Sequence, residues 1–242
     1  MLAIIDGDVL LHMSVWNKEN EQEAREHFDE LFTGIIENTF STDYVMALGG
    51  PDNFRDDLYV DYKKSASRKK SRSAKPDWFF DLKSNIERDY DGCIYSDYCE
   101  ADDMVRIWAY ECDARDIPRI VVSVDKDLNC IEGLHYNPRN NSIYTIKPED
   151  ANLFYWTQIL TGDSVDNIPG IEGIGPKKAE GILFNCKTSD EMKAAVCKAY
   201  HKKYGEEGYN NLVINGRLVH IWRKLNDHFK LDKELYDFAI SL

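Results

Sequence analysis

Carboxylate side chains recur in short groups along the 242-residue chain. The groups are Asp6 with Asp8, Glu100 with Asp102 and Asp103, Asp125 with Asp127, Asp163 with Asp166, and, more weakly, Asp52. Each group alone is explained as well by helix capping or a polar turn. Together, carboxylates repel one another unless a cation holds them, and an all-oxygen donor set favours Mg²⁺ or Mn²⁺. The groups jointly predict clustered divalent ions, which suit phosphodiester hydrolysis.

A basic segment interrupts a chain whose formal net charge is −13. Its cations have no acid among them and are Lys63, Lys64, Arg68, Lys69, Lys70, Arg72 and Lys75. A solvated loop explains such a run when it is taken alone. In an acidic protein, however, a concentrated strip of cations favours an anionic partner, and a phosphate backbone is the obvious candidate.

A glycine-rich segment from Ile168 to Ala179 predicts a hairpin between two helices. Pro176 suits the first turn of the second helix. Backbone N–H groups at such a helix start can hold a phosphate without reading bases, and Lys177 or Lys178 would add charge. A purely structural helical hairpin is the alternative.

The elements that must position these residues alternate between strands and helices. Short apolar runs predict strands over Leu2–Asp6, Tyr44–Leu48 and Ile120–Val124, and amphipathic stretches predict helices over Glu21–Asn38, Trp78–Tyr90 and Glu100–Arg115. This order predicts an α/β fold with a mostly parallel central sheet flanked by helices. Ligands of such sheets bind beyond the carboxyl ends of the strands, where these acids lie.

The chain divides by composition near residue 150. Residues 1–150 are predicted to form an α/β catalytic core, and residues 151–242 a helical region that includes amphipathic stretches over Glu191–Tyr204 and Leu218–Phe229. No apolar run approaches the ~18 residues of a membrane helix. The start of the chain lacks the features of a signal peptide, and the scattered cysteines form no C-x-x-C pair. We therefore expect a protein used inside the cell, away from membranes.

Five motifs in order give the chain a family resemblance. They are Ile5-Asp6-Gly7-Asp8, Tyr62-Lys63, Glu100-Ala101-Asp102-Asp103, Ser123-Val124-Asp125-Lys126-Asp127, and the segment from Leu160 to Gly170. Their order resembles the structure-specific 5′ nuclease family, the flap endonucleases and 5′–3′ exonucleases, and the compact length resembles the stand-alone bacteriophage enzymes most. The likeness spans nearly the whole chain. It implies a PIN-like core, a helical arch over about 63–86, and a helix-hairpin-helix-type motif over about 160–185.

The resemblance also implies roles for individual residues. Two or more Mg²⁺ or Mn²⁺ ions would be bound by Asp6, Glu100, Asp102, Asp103, Asp125, Asp127, Asp163 and Asp166. Lys63 would contact the scissile phosphate, and Arg68 would take the place of the arginine that follows it in the family. Contacts to DNA would come from Lys63, Arg68, Lys69, Arg72, Gly170, Gly173, Gly175, Lys177 and Lys178. Members of the family often also bind K⁺ at the hairpin.

The implied activity is metal-dependent cleavage of DNA near a 5′ end or a 5′-flap junction, in replication or repair. Flaps, nicked or free-ended duplexes and RNA–DNA hybrids are the expected substrates. The resemblance also implies replication proteins as partners and a monomer in the cytoplasm of a bacterial or phage-infected cell. The chain would bind DNA through its backbone, so binding should depend strongly on salt.

Two positions depart from the family pattern. Gly50 stands where the family usually has an aspartate at the tip of the second strand, with Asp52 as a possible substitute ligand. Ala66 stands three residues past Lys63, where the family commonly has its arginine. Two alternatives follow: a catalytically weakened DNA-binding module of the same fold, or a PIN-like ribonuclease. The latter domains usually lack a hairpin such as Gly170–Lys178.

Overall fold

The computed structural model describes residues 1–66 and 75–241. The elements in chain order are β1 (Leu2–Asp6), α1 (Gly7–Val15), α2 (Glu21–Thr39), β2 (Asp43–Leu48), α3 (Phe54–Leu58), α4 (Phe79–Asp89), β3 (Cys93–Tyr95), α5 (Ala101–Ala114), β4 (Arg119–Val122), β5 (Gly133–Asn137), β6 (Ser142–Ile146), α6 (Pro148–Thr161), α7 (Pro176–Leu183), α8 (Ser189–Tyr204), α9 (Gly208–Val219) and α10 (Lys233–Ser241). Within these ranges, no helix has the length and apolar character needed to cross a membrane.

The strands form one sheet in the order β3-β2-β1-β4-β5-β6. Strands β1 to β5 pair in parallel, and β6 pairs antiparallel to β5. The central strand β1 reads Leu-Ala-Ile-Ile-Asp, and its residues from Ala3 onward are buried because sheet neighbours lie on both sides. The predicted α/β fold with a mostly parallel sheet is confirmed.

Contacts group the chain into two compact units. The first contains Met1–Asn53, Ala74–Lys147 and Ile221–Asn226, so it holds the sheet with α1, α2, α4 and α5. Its core includes Phe28 and Ile86, both fully buried. Burial of such side chains stabilises the fold by about 1.5–3 kcal/mol each.

The second unit contains Phe54–Ser73, Pro148–His220 and Asp227–Leu242. Its core is helical, and Ile159 and Val196 are fully buried there. These units do not coincide with the parts predicted on either side of residue 150, because Phe54–Ser73 belongs to the second unit and Ile221–Asn226 to the first. The domain assignment itself remains a prediction.

One predicted helix is wrong. The stretch Leu218–Phe229 does not continue as a helix, because α9 ends at Val219 and His220 adopts an extended backbone, with φ −70° and ψ 112°. The carbonyls of Leu218 and His220 accept hydrogen bonds from the buried Arg55 guanidinium at 3.0 and 2.8 Å. A buried guanidinium needs hydrogen-bond acceptors, and the backbone carbonyls at the C-terminal end of α9 provide them.

Candidate active site

The carboxyl ends of β1 and β4 bring Asp6 next to the residues that follow β4. Asp6 caps α1, with Oδ1 accepting from the Val9 backbone N–H at 3.1 Å. Its Oδ2 accepts from Ser123 Oγ at 2.8 Å, and the Asp125 backbone N–H donates to the same Oγ at 2.9 Å. Ser123 therefore ties Asp6 to the Asp125 turn. Ser123 falls inside the predicted strand Ile120–Val124 and has no predicted role of its own, whereas β4 ends at Val122 and leaves Ser123 in the loop that follows.

The carboxyl group of Asp6 lies in an unfavourable electrostatic setting. Burial, with smaller contributions from the negative charges of Asp8 and Asp125, raises the pKa of Asp6 to about 7, and this value already includes the opposing effect of the hydrogen bonds from Ser123 and Val9. A bound cation would reverse this balance by favouring the ionised form. Carboxylate oxygens are the type of donor that hard divalent ions prefer.

Asp125 and Asp127 share the turn that follows β4. Asp125 caps a 3₁₀ turn over Lys126–Cys130, and its Oδ1 accepts from the Asp127 backbone N–H at 2.9 Å. The Lys126 ammonium lies 3.7 Å from Asp127 Oδ1. The two predicted ligands therefore lie in one turn directly after β4.

Glu100 and Asp103 form the capping box of α5. Asp103 Oδ2 accepts from the Glu100 backbone N–H at 2.9 Å, and Oδ1 accepts from the Trp222 backbone N–H at 2.8 Å. Asp103 is fully buried, whereas Asp102 in the first turn is half-buried. Both Asp103 oxygens therefore serve backbone donors. Its contact with a metal ion stays a prediction.

The tip of β2 has no carboxylate at the position where the resemblance expects one. A Cβ atom on Gly50 would lie 2.1 Å from the Ser96 carbonyl oxygen, so the backbone there has no room for a side chain. Asp52 is exposed, and it is the neighbouring Asn53 that reaches the acidic residues, donating its side-chain amide to Glu100 Oε1 at 3.0 Å. Substitution of the missing acid by Asp52 stays a prediction.

The observed partners of these carboxylates are protein donors. Among residues 1–66 and 75–241, no three His, Cys, Asp or Glu side chains are grouped closely enough to hold a metal ion as they stand. The eight-residue metal set therefore remains a prediction, to which the chemistry of the donors and the setting of Asp6 lend support.

In the second unit, the segment with Lys63 is joined to the loop with Asp163 and Asp166. The Lys63 backbone N–H donates to the Asp166 carbonyl at 2.8 Å, and the Lys63 ammonium lies 3.6 Å from Asp166 Oδ2. Ser65 Oγ donates to the Val165 carbonyl at 2.7 Å. Lys63 is held in a left-handed conformation with φ 51°. The predicted phosphate-contacting lysine and two predicted metal ligands are thus neighbours.

The loop that carries Asp163 is closed by two glycines. Asp163 pairs with Ile168 as an isolated β-bridge, and its Oδ1 accepts from the Val165 backbone N–H at 2.7 Å. Gly162 and Gly170 have φ of 66° and 59°, and a Cβ on either would lie within 2.3 Å of backbone atoms. The loop therefore requires glycine at both ends.

The predicted hairpin ends at α7, which begins with Pro176 after an N-cap at Gly175. A Cβ on Gly173 or Gly175 would meet nothing within 4 Å, so the hairpin backbone there is open to a ligand. Lys178 Nζ donates to the Gly173 carbonyl at 2.7 Å, and both Lys177 and Lys178 are exposed. Arg68, Lys69 and Arg72 lie outside the described residues, as does the part of the predicted arch over 67–74.

The mostly parallel sheet, with carboxylates at the ends of its strands, indicates a phosphodiesterase. Comparison with known proteins identifies the family. No family model matches it. Flap endonuclease Xni from Shewanella sp. (strain MR-4) is 30% identical over 204 residues, which cover 80% of this chain and 76% of that protein. This chain belongs to the flap endonuclease family, and the resemblance to structure-specific 5′ nucleases is confirmed.

A second relative is DNA polymerase I from Rhizobium leguminosarum, which is 34% identical over 147 residues. That match covers 54% of this chain and only 14% of the polymerase. Among solved structures, the T5 D15 protein co-crystallised with metal ions superposes with a TM-score of 0.71 at 15% identity, covering 99% of this chain and 97% of that one. The likeness to the T5 protein supports the fold over the whole chain.

Proposed function

We propose that this chain hydrolyses DNA phosphodiester bonds at 5′ ends or 5′-flap junctions with the help of divalent metal ions. Membership of the flap endonuclease family supports the reaction. The T5 D15 flap endonuclease has been crystallised with DNA and metal ions, which supports the substrate and the metal dependence. The observation that carries the proposal is the buried Asp6, joined through Ser123 to Asp125 and placed where a cation would relieve its charge.

The residues of the chain have distinct tasks in this proposal. Asp6, Asp125 and Asp127 hold Mg²⁺ or Mn²⁺ in the first unit, and Asp163 and Asp166 bind divalent ions in the second. Ions bound there would activate the attacking water and stabilise the leaving oxygen. Lys63 contacts the scissile phosphate in this proposal, and its ammonium lies 3.6 Å from Asp166 Oδ2. The open hairpin around Gly173 holds duplex backbone without reading bases, and K⁺ binds there.

The substrates include 5′ flaps, nicked duplexes and free duplex ends. RNA–DNA hybrids are further substrates, in keeping with backbone contacts that do not read bases. The chain acts as a monomer in the cytoplasm, beside replication proteins.

The decisive test is cleavage of a 5′-labelled flap, a nicked duplex, a blunt duplex and an RNA–DNA hybrid. Each substrate is incubated with Mg²⁺, with Mn²⁺ and with chelator, and wild-type protein is compared with Asp125→Asn and Asp163→Asn. We expect metal-dependent cutting that both variants lose, by roughly a hundred-fold or more because the metal-bound oxygens are removed. Both variants should still bind the flap. Near-normal cleavage by both would overturn the proposed site.

A second candidate function rests on Gly50. Because that position has no room for a side chain, a DNA-binding module without catalysis is the alternative. It would bind flaps tightly and leave them intact with either metal. Turnover that disappears in the Asp125→Asn protein excludes this alternative.

A further inference from the structure

The space at the tip of β2 is filled by a lysine from another element. Lys83 on α4 donates from Nζ to Asp8 Oδ1 at 2.8 Å and to the Gly49 carbonyl at 2.7 Å. The Gly49 backbone N–H donates to Asp8 Oδ2 at 3.0 Å. The Lys83 side chain is only 13% exposed. An ammonium is therefore fixed beside an acidic group, next to the position where the resemblance predicts a further carboxylate.

The surrounding backbone is shaped to admit this ion pair. A Cβ on Gly49 would lie 2.6 Å from Asp8 Oδ2, so any larger residue would push the carboxylate away. Gly50 is anchored by its N–H, which donates to Ser96 Oγ at 2.9 Å. The Lys83 ammonium also lies 5.5 Å from the centre of the Tyr95 ring, a cation–π distance. Asp8 is thus gripped at both of its oxygens.

The ion pair alters the charge that a metal ion would meet. Asp8 is close enough to Asp6 for its negative charge to act on that carboxyl group. Lys83 balances Asp8, so the pair adds no net charge to the group formed by Asp6 and Asp125. An Asp8 that is already bonded at both oxygens is also poorly placed to ligate a metal ion.

We propose that Lys83 is a positioning residue that keeps Asp8 neutralised and out of the metal-ligand set, so that cation affinity is set by the remaining carboxylates. The inference rests on the proposed metal-dependent function. It goes beyond that function because it gives Lys83 the task of lowering the affinity for the divalent ion.

The test measures Mn²⁺ binding by calorimetry at low ionic strength, without DNA. Lys83→Met leaves Asp8 unbalanced and should tighten Mn²⁺ binding by about three- to ten-fold. Asp8→Asn leaves Lys83 unbalanced and should weaken binding by a similar factor. The double variant Asp8→Asn with Lys83→Met restores the local charge and should bind within about two-fold of wild type. Lys198→Met, a charge loss at an exposed site on α8, should leave the affinity unchanged.

Each alternative gives a different pattern. If Asp8 is a metal ligand, the double variant stays as weak as Asp8→Asn, and the proposal is overturned. If Lys83 only packs, all affinities equal that of wild type while thermal stability falls, and the proposal is again overturned. If Lys83→Met does not fold, as judged by circular dichroism, unchanged binding by Asp8→Asn alone overturns it. Wild-type protein that binds no Mn²⁺ would refute the proposed function as well, whereas wild-type binding with unresponsive variants refutes only the role of Lys83.

Discussion

At the level of single residues, the predicted metal ligands differ in how their oxygens are used. Asp103 lies at one extreme, because its two oxygens accept from the backbone N–H groups of Glu100 and Trp222 in a fully buried setting. Asp6 lies closer to the other, since burial and neighbouring charges disfavour its ionised form. The geometry therefore favours a structural task for Asp103 and a cation-binding task for Asp6.

Replacement of Asp103 tests this distinction. Asp103→Ala leaves the buried Trp222 N–H and the part-buried Glu100 N–H without their carboxylate, which should lower the free energy of unfolding by about 2–4 kcal/mol. Asp102→Ala, at a half-buried position in the same turn, should lower it by less than about 1 kcal/mol. Urea denaturation in chelator measures both. If Asp103→Ala kept wild-type stability in chelator and lost only the stabilisation by Mn²⁺, Asp103 would be a metal ligand after all.

At the level of elements, the loop from Gly162 to Gly170 is the most tightly constrained part of the second unit. Its two glycines have left-handed backbones whose Cβ positions are filled by the facing strand of the loop. The Gly170 backbone N–H also donates to the buried Asn215 Oδ1 on α9 at 3.1 Å. The loop is consequently held from both sides, and so are Asp163 and Asp166 within it.

Alanine substitutions in this loop distinguish the cost of a positive φ from the cost of a steric clash of the added Cβ. Gly170→Ala should destabilise the protein by about 3 kcal/mol or more, because strain at positive φ is joined by a backbone clash. Gly173→Ala has the same kind of φ, 80°, but open surroundings, and it should lose only about 1 kcal/mol. Thermal unfolding of both proteins gives the comparison. Equal losses would show that the close approach of Gly162 and Gly170 is not maintained in solution.

Local sequence patterns predicted those helices and strands that have a clear periodicity of apolar residues or a long apolar segment. The run Leu2–Asp6 marked its strand correctly, and the run Ile120–Val124 found β4 but placed its end two residues too late. A buried strand can be recognised from nearby residues alone, whereas its exact end cannot. The three-residue β3 is too short to show a period. The wrong helix over Leu218–Phe229 reflects a partner, Arg55, that lies 163 residues away from Leu218.

For the candidate site, the sequence predicted the residues that carry the chemistry but not the contacts between them. Residue types and order pointed to the carboxylates, but the role of Ser123 depends on which strands are neighbours. The Lys83–Asp8 pair joins residues 75 apart, and no local signal distinguishes Lys83 from other lysines on an amphipathic helix.

At the level of the whole molecule, the charge of −13 opposes association with DNA. Binding must then depend on bound divalent ions and on a small number of well-placed cations. Lys177 and Lys178 are both exposed at the start of α7, and Lys178 also donates to the Gly173 carbonyl within the hairpin. Since the Lys178 ammonium is already bonded within the hairpin, the proposed function predicts that Lys177 makes the stronger phosphate contact.

The salt dependence of flap binding tests this prediction. Each phosphate contact contributes roughly 0.9 to the slope of log affinity against log salt on duplex DNA. Lys177→Ala should therefore reduce the slope by about one, while Lys198→Ala, which removes an exposed charge from α8, should leave it unchanged. The measurement is fluorescence anisotropy of a labelled flap in Ca²⁺ over a range of KCl concentrations. A slope that falls equally in both variants would mean that overall charge, rather than a contact at the hairpin, governs binding.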